Sequence, residues 1–343
     1  MIIKLAQTTT DEIVSTLLSE GVSSGSRVLT LVIDTDHAGL ADALVAAHGA
    51  SLDHPCRVVA VVSPTSDGSA ARDDRHPNGH RAPGSIGHLD AEIRLGHDAG
   101  AGETLVLYPQ GEAARHADTL VVPFLLPDVP VVTWWPDAPP VRPATSPLGA
   151  LATTRITNTP SQPDPSAALA ALAPEYTRGD IDLAWTRITL WRAMVASTLD
   201  SLLCTGVVRG VVVAGEPRNA SVSLMIRWLR LRLGVDVQRV DAADIPGIAT
   251  ITAHTDSGDL VITRKDHERV VITRPGARRP QVVTMARREP VATMSEELRR
   301  LTPDLVYEEV LATFAEQDTP RALAGVNAAG IEYVENREEG IHQ

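Results

Sequence analysis

The sequence predicts an α/β protein, in which an N-terminal, mostly parallel α/β sheet domain precedes a C-terminal α/β domain with an antiparallel meander. Three observations support this class. Apolar runs alternate with amphipathic stretches early in the chain, proline recurs in the stretch that follows, and short alternating segments separated by turn residues come later. The predicted parts are an N-terminal domain over 1–136, a Pro-rich linker over 137–165, a C-terminal domain over 166–315 and an acidic tail over 316–343.

Two apolar runs define the centre of the first predicted sheet. Residues 27–34 and 54–63 are rich in Val, Leu and Ile, as expected of strands that are covered on both faces. Thr9 followed by Glu12 predicts a capping box at the start of a helix, and residues 40–47 carry Leu and Ala at helical spacing. Further strands are predicted at 91–95, 104–108 and 130–135, and a further helix at 112–120.

Two segments interrupt this alternation. Residues 65–88 are rich in Gly, Ser, Asp, Arg and His and contain very few apolar side chains, which predicts a mobile loop, with a lid or a partner-contact loop as the alternative. Proline recurs through residues 136–147, and because proline interrupts helices and central strands, this stretch is predicted to be a semi-rigid linker.

The second domain starts with helices and ends with a sheet of short strands and two more helices. A buried apolar stripe predicts one long helix over 182–203, and Thr302 followed by Pro303 predicts the start of the last helix. The other predicted elements are helices at 166–173, 219–233 and 291–301, and strands at 207–214, 235–240, 249–254, 260–264, 270–273 and 281–285.

Charge and composition exclude several classes of protein. The chain of 343 residues has 31 basic and 43 acidic side chains and a formal charge of -12, which argues against a nucleic-acid binder. It has no apolar run near ~18 residues and no signal-peptide pattern, which predicts a cytoplasmic protein without a membrane partner. Cys56 and Cys204 form neither a CxxC motif nor a metal-ligand pair, which predicts a protein of a reducing compartment. No metal and no cofactor are predicted.

The predicted strand-to-helix turn after Gly215 is the most enzyme-like segment. Backbone N–H groups of the first helical turn would point out of the sheet there, and an anion could bind them together with Arg218, Asn219, Ser221 and Ser223. The turn is neither a GxGxxG motif nor a Walker loop. An ordinary turn capped by Asn219 or Ser221 is the alternative interpretation. A ligand site here would suit a sugar-phosphate- or nucleotide-binding enzyme or sensor.

The tryptophans are the other candidate feature, because only 3% of the chain is aromatic. They surround the Pro-rich boundary, where they form either the core of the domain junction or a docking surface. The candidate partner-binding residues are Trp134, Trp135, Trp185, Arg187, Trp191 and Arg192. No GxSxG motif, HExxH motif or catalytic carboxylate pair is present, so no catalytic residue is predicted.

Five segments of the chain resemble a known family. They are HPCRVVAVV (54–62), LDAEIRLGHDAGAGET (89–104), VVPFLLPDVPVVTWWP (121–136), DLAWTRITLWRAMVASTLD (182–200), and GEP followed by SVSLMIRWLRLRLGV (215–235). In order and spacing they resemble the OpcA family of glucose-6-phosphate dehydrogenase assembly proteins. The resemblance implies a non-catalytic partner that binds glucose-6-phosphate dehydrogenase and promotes its active oligomer, in support of NADPH production by the pentose phosphate pathway.

Overall fold

The computed structural model describes residues 1–21, 27–63, 87–203 and 207–315, in which the strands form two sheets. Sheet A contains β1 (Ile2–Leu5), β2 (Leu29–Thr35), β3 (Cys56–Val62), β4 (His88–Leu95), β5 (Glu103–Gln110), β6 (Val131–Trp135), β7 (Thr154–Thr157) and β8 (Asp180–Asp182). Sheet B contains β9 (Val208–Gly215), β10 (Val237–Asp241), β11 (Ile248–Thr255), β12 (Gly258–Arg264), β13 (Arg269–Thr273) and β14 (Gln281–Thr284).

Helices connect and cover these strands. They are α1 (Thr10–Ser19), α2 (Leu40–Ser51), α3 (Ala117–Val121), α4 (Pro165–Leu172), α5 (Leu183–Arg187), α6 (Thr189–Leu203), α7 (Ala220–Leu233), α8 (Pro290–Arg299) and α9 (Leu305–Ala312). Within the described ranges, no helix is long and apolar enough to span a bilayer. Residues 65–86 of the predicted mobile loop, Cys204 and the predicted tail at 316–343 lie outside the described residues.

Sheet A is mostly parallel, as predicted. Its strand order is β1-β4-β5-β3-β2-β6-β7-β8. The run from β5 through β3, β2, β6 and β7 to β8 is parallel, whereas β4 pairs antiparallel with both β5 and β1. The apolar runs predicted from the sequence become β2 and β3 at the centre of the sheet, where layers on both faces cover them.

Sheet A continues beyond residue 136. Strand β7 lies inside the range predicted as a Pro-rich linker, and it pairs with both β6 and β8. Its Thr154, Arg155 and Thr157 are buried, and this polar composition provides no apolar run that would predict a central strand. Residues 137–165 therefore contribute a strand to sheet A. The division of the chain into domains stays a prediction.

Sheet B confirms the predicted antiparallel meander. Its order is β10-β9-β11-β12-β13-β14, and only β9 and β10 pair in parallel. Helix α7 provides the crossover between β9 and β10 and ends at Gly234, which adopts φ 65° as the C-terminal cap. A left-handed conformation of this kind favours glycine.

Two hydrophobic cores hold the sheets in place. The first core extends from one face of sheet A through the helices to one face of sheet B, with members that include Ile33, Trp185, Val222 and Ile262. The second core lies on the other face of sheet A, with members that include Ile13, Val59, Leu105 and Phe124. Because the first core is continuous, it fixes the ends of the two sheets relative to each other.

Helix ends confirm some local predictions and correct others. Thr9 caps α1 by accepting from the Glu12 N–H at 3.2 Å, as predicted. The predicted helix over 182–203 is divided at Ile188 into α5 and α6. The predicted cap Thr302 is wrong, because Asp304 accepts from two N–H groups of α9 and a carboxylate is the stronger acceptor at a helix N-terminus. The predicted helix at 112–120 begins as a 3-10 turn and continues as α3.

Candidate functional site

Trp134 and Trp135 end β6 inside the protein. They are 4% and 1% exposed. Trp135 donates its Nε1–H to Asp34 Oδ2 at 3.0 Å, and burial raises the pKa of this carboxyl group. The Trp134 Nε1–H is buried and, among the described residues, has no hydrogen-bond partner. Both indoles are core residues of sheet A.

Trp185 is the centre of an aromatic and charged cluster on α5. It is 1% exposed, and its Nε1–H donates to Asp304 Oδ2 at 2.8 Å. The Arg192 guanidinium stacks on the indole with its Cζ 3.6 Å from the ring centre, and the Tyr307 ring lies 5.6 Å away. Burial lowers the pKa of Arg192 to about 10. This cluster ties α5 and α6 to α9.

The burial of the tryptophans bears on the alternatives that the sequence left open. Trp191 is 6% exposed, so all four candidate indoles lie inside the fold. Side chains this buried offer little area to a partner, which favours the core interpretation. Arg187 and Arg192 are half-buried. A partner contact through these two arginines stays a prediction.

The turn after Gly215 forms as the sequence predicts, with β9 ending there and α7 starting at Ala220. Gly215 is needed for a close approach, since a Cβ at this position would lie 2.7 Å from the carbonyl oxygen of Gly247. Asn219 caps α7 by accepting from Val222 N–H at 3.1 Å.

The carboxylate of Glu216 accepts hydrogen bonds from polar groups of this turn. Glu216 Oε2 accepts from Asn219 Nδ2 at 2.9 Å and from Gly247 N–H at 2.9 Å. Ser221 donates to the carbonyl oxygen of Ala184 at 2.8 Å. The helix start is therefore capped and hydrogen-bonded from within the protein, which is the ordinary-turn interpretation.

Two other residues of the predicted anion site face elsewhere. Arg218 is 71% exposed and lies 3.9 Å from Asp164. Ser223 hydrogen-bonds with Ser166 at 2.9 Å and accepts from Arg239 at 3.2 Å. The structure thus brings Asn219 and Ser221 to one cleft and leaves Arg218 and Ser223 outside it.

That cleft lies beside the turn and has a volume of about 230 Å³. Four arginines and one acidic residue line it, together with an apolar wall that includes Ile188, Trp191 and Met285. We call this cavity the arginine cleft, and its charged lining residues are Arg187, Arg264, Arg287, Arg288 and Glu216. It joins a residue predicted as partner-binding, Arg187, with the turn predicted as an anion site.

The arginines of the cleft differ in their hydrogen-bond and ion-pair partners. Arg264 donates to the carbonyl oxygen of Met285 at 3.0 Å, and Arg287 donates to that of Pro246 at 2.7 Å. Arg288 forms an ion pair with Glu296. Arg187, in contrast, makes no hydrogen bond or ion pair with any described residue, and its Nε is fully buried.

Burial and neighbouring charges both shift the pKa values of these arginines. Burial lowers the pKa of Arg187, and the charges of Asp182 and Glu289 act in the opposite direction. The pKa of Arg264 is lowered by burial and by the charge of the neighbouring Arg287. These shifts show that positive charge is held in a partly desolvated space.

Sequence reasoning missed Arg264, Arg287 and Arg288. Arg264 occupies a buried position at the end of the alternating strand β12, and a charged residue at an apolar position of such a pattern is a signal for a special environment. The pair Arg287-Arg288 follows β14 without any local motif. Nothing in the sequence indicates that these residues meet Arg187.

A second cavity of about 740 Å³ lies next to the cleft and shares Arg288 with it. Trp185 and Arg192 line it, as does Glu297, which accepts a hydrogen bond from Thr186. Burial raises the pKa of Glu297 from 4.5 to about 7. In the described ranges, no group of His, Cys, Asp and Glu side chains has an arrangement that could hold a metal ion.

Solved structures with a similar outline are oxidoreductases. One from Sinorhizobium meliloti is 11% identical, covers 86% of this chain and 91% of its own, and has a TM-score of 0.43. A Gfo/Idh/MocA family oxidoreductase from Vibrio cholerae is 11% identical, covers 83% of this chain and 94% of its own, and has a TM-score of 0.37. Similarities with such low scores carry no conclusion. Among curated proteins, none matches this chain.

Family models match both halves of the chain. Residues 47–174 match the N-terminal domain, and residues 178–311 the C-terminal domain, of a family described as glucose-6-phosphate dehydrogenase subunit. The two matches meet close to β8, the last strand of sheet A. The chain belongs to the OpcA family of glucose-6-phosphate dehydrogenase subunits.

Proposed function

We propose that this chain is a non-catalytic subunit that binds glucose-6-phosphate dehydrogenase and stabilises its active oligomer. The observation that carries the proposal is the match of both halves to the domains of a glucose-6-phosphate dehydrogenase subunit. The physical mechanism is linkage. A protein that binds one conformation or oligomer of an enzyme better than the others shifts the population towards that state, which makes it an allosteric activator.

The surface best suited to this contact is the outer face of sheet B, defined by Val212, Thr252, Val261, Val271 and Val282. Cross-strand pairing places these residues on one face, with Val212 opposite Thr252, Thr252 opposite Val261, and Val271 opposite Val282. The four valines belong to neither core, and Val282 is 60% exposed. The solvent face of an antiparallel sheet is usually polar, so a row of valines that lies outside both cores favours an interface.

The charge of this face also favours an interface. Its central positions carry Val, Thr, Ala and Gln, and charged side chains lie towards its ends, where His254 pairs with Asp259 at 2.9 Å. The centres of protein interfaces are depleted in charge, whereas their rims are polar. The outer face of sheet B is therefore the surface that we assign to the dehydrogenase.

Charge insertion tests this contact. Val261→Glu and Val282→Glu each place a carboxylate on the outer face without disturbing a core. They are expected to reduce co-purified dehydrogenase by at least about tenfold, because an interface that buries an unpaired charge loses affinity. Dehydrogenase activity with and without the chain is expected to change in parallel.

The matched control is Val141→Glu, since Val141 is 70% exposed and lies outside sheet B. This variant should bind and activate like the unchanged chain. If all three variants co-purify with equal amounts of dehydrogenase, the outer face of sheet B is not the contact surface. Failure of the unchanged chain to co-purify with the cognate dehydrogenase would overturn the function itself.

A further inference from the structure

We infer that the arginine cleft binds a small phosphate monoester. The inference starts from Arg187, which has no hydrogen bond or ion pair among the described residues although its Nε is fully buried. A partly buried guanidinium whose buried Nε–H has no acceptor is costly, and a ligand in the cleft can supply that acceptor. The guanidinium of Arg187 borders the cleft, so a ligand there has access to it.

The lining of the cleft carries an excess of positive charge, although the charges of Asp182 and Glu289 act on Arg187 from outside it. Glu216 is the one acidic residue among the described lining residues, and its Oε2 already accepts two hydrogen bonds from the turn. Arg264 and Arg287 lie close enough for the charge of one to lower the pKa of the other. Glu296 pairs with Arg288 alone. The remaining field in the cleft attracts an anion.

The arrangement favours a phosphate group as that anion. Guanidinium groups present several N–H donors in a plane, and a phosphate dianion has enough oxygens to accept from several arginines at once. Arg187 reaches the cleft from α5, whereas Arg264 and Arg287 reach it from sheet B and the segment after it. A single carboxylate has fewer acceptors for donors that come from different sides.

The size and the apolar wall of the cleft define the rest of the ligand. A volume of about 230 Å³ is below the ~300–1,000 Å³ of pockets that enclose drug-sized ligands. A dinucleotide is therefore too large. The apolar wall of the cleft includes Ile188, Trp191 and Met285. The carbon skeleton of a phosphate ester can pack against this wall, whereas inorganic phosphate has no apolar part that could do so. The class that fits is a phosphate ester with a compact, uncharged body.

This site differs from the helix start beside it. The first turn of α7 is capped by Asn219, whose side-chain amide donates to Glu216, and the exposed Arg218 is outside the cleft. The inference is also independent of the outer face of sheet B. Its test uses the isolated chain without the dehydrogenase, so the two proposals can fail separately.

The experiment is calorimetric titration of the full chain with glucose 6-phosphate as the monoester. Separate titrations use inorganic phosphate, which represents the phosphate group, and glucose, which represents the uncharged body of the ester. We expect one saturable site for glucose 6-phosphate, weaker binding of inorganic phosphate and none of glucose. Arg187→Gln should weaken the binding of glucose 6-phosphate by about tenfold or more, because it removes a charge-assisted contact. Added salt should weaken binding as well.

Arg218→Gln is the matched control, because it removes the same charge near the same turn but outside the cleft. It should bind like the unchanged chain. Arg287→Gln is the second variant, and circular dichroism checks that each variant is folded. Absence of binding by the unchanged chain would overturn the inference, as would unchanged affinity in both cleft variants. Loss of glucose 6-phosphate binding in Arg218→Gln would show that the ligand binds at the start of α7 and not in the cleft. Equal affinities for inorganic phosphate and glucose 6-phosphate would show that the site does not select a monoester.

Discussion

The buried ion pairs of sheet A hold opposite charges in direct contact, whereas Arg187 in the arginine cleft has no direct hydrogen bond or ion pair among the described residues. Glu103, whose side chain is 0% exposed, forms ion pairs with Arg27 at 2.7 Å and with Arg57 at 2.6 Å. Arg155 is 6% exposed and is paired with Asp180. Each of these groups keeps partners that replace the water it lost on folding.

The cleft shows the opposite arrangement. Arg187 is half-buried without a direct partner in the described part of the chain. Arg264 and Arg287 have carbonyl partners but repel each other electrostatically. The difference teaches that the buried ion pairs in this protein serve the fold, whereas the group of arginines around Arg187 is better explained by binding. Four substitutions test that distinction.

The largest expected effect is in sheet A. Glu103→Ala leaves Arg27 and Arg57 without their carboxylate and should lower the free energy of unfolding by about 3–5 kcal/mol, because removal of one partner strands buried charge. Urea denaturation measures the change. Glu103→Gln keeps an acceptor at the same position and should cost less. Equal stability of the alanine variant and the unchanged chain would refute a structural role for this ion-pair network.

The next effect depends on pH. The folded-state pKa of Glu297 is about 7 and its ordinary value is 4.5. Between these values the folded protein keeps a proton that the unfolded chain releases, so the free energy of unfolding decreases as pH rises through this window. Glu297→Gln removes the titration and should be more stable than the unchanged chain by about 2–3 kcal/mol at about pH 8.

The measurement for Glu297→Gln is urea denaturation at about pH 5 and about pH 8, on either side of the folded-state pKa. The difference between the two proteins should be larger at the higher pH. Parallel pH profiles would show that Glu297 is not held protonated by the fold.

A smaller effect is expected in the cleft, where the substitution should increase the free energy of unfolding, whereas Glu103→Ala should decrease it. Arg187→Met replaces an unpaired guanidinium by an apolar side chain and should raise the free energy of unfolding by about 1 kcal/mol when no ligand is present. Thermal melting with and without glucose 6-phosphate measures both consequences. The ligand should stabilise the unchanged chain and not the variant. A clear destabilisation by Arg187→Met would assign Arg187 to the fold.

The smallest effect is on the surface. Arg115 and Glu112 form an ion pair at 2.8 Å in which the side chains are 61% and 49% exposed. Arg115→Ala should change the free energy of unfolding by no more than about 0.5 kcal/mol, because water screens exposed pairs. The measurement is the same urea titration as for Glu103→Ala. A loss comparable to that variant would mean that pairing, rather than burial, determines the cost.

Part of the candidate site was predictable and part was not. The turn after Gly215 follows from a strand, a glycine and a capping residue in sequence, with Asn219 or Ser221 as the predicted cap and Asn219 as the observed one. Arg187 was a candidate because it lies in a segment typical of the family. Arg264 and Arg287 were not, because they meet Arg187 only through the packing of α5 against sheet B and the segment after it, and local patterns carry no information about such contacts.

The same contrast holds for the sheets. The apolar runs of β2 and β3 and the turns of the meander specify their own conformation, because backbone preference and burial period are local properties. The polar strand β7 has no such signal and is a strand because β6 and β8 lie on its two sides. Its Thr157 bonds Asp182 at 2.6 Å, a contact with the next strand.

The sequence by itself determined the family resemblance, which depends on the order of five segments. It also determined the α/β class and the helix cap at Thr9, and it narrowed the cap of α7 to Asn219 or Ser221, since these features depend on residues that are near one another in the chain. The tertiary structure alone decided that the tryptophans are buried and that Glu216 accepts hydrogen bonds in the turn after β9. It also decided that arginines from α5, β12 and the segment after β14 converge on one cleft. Convergence of this kind comes from the packing of both sheets against one shared core, which no local pattern encodes.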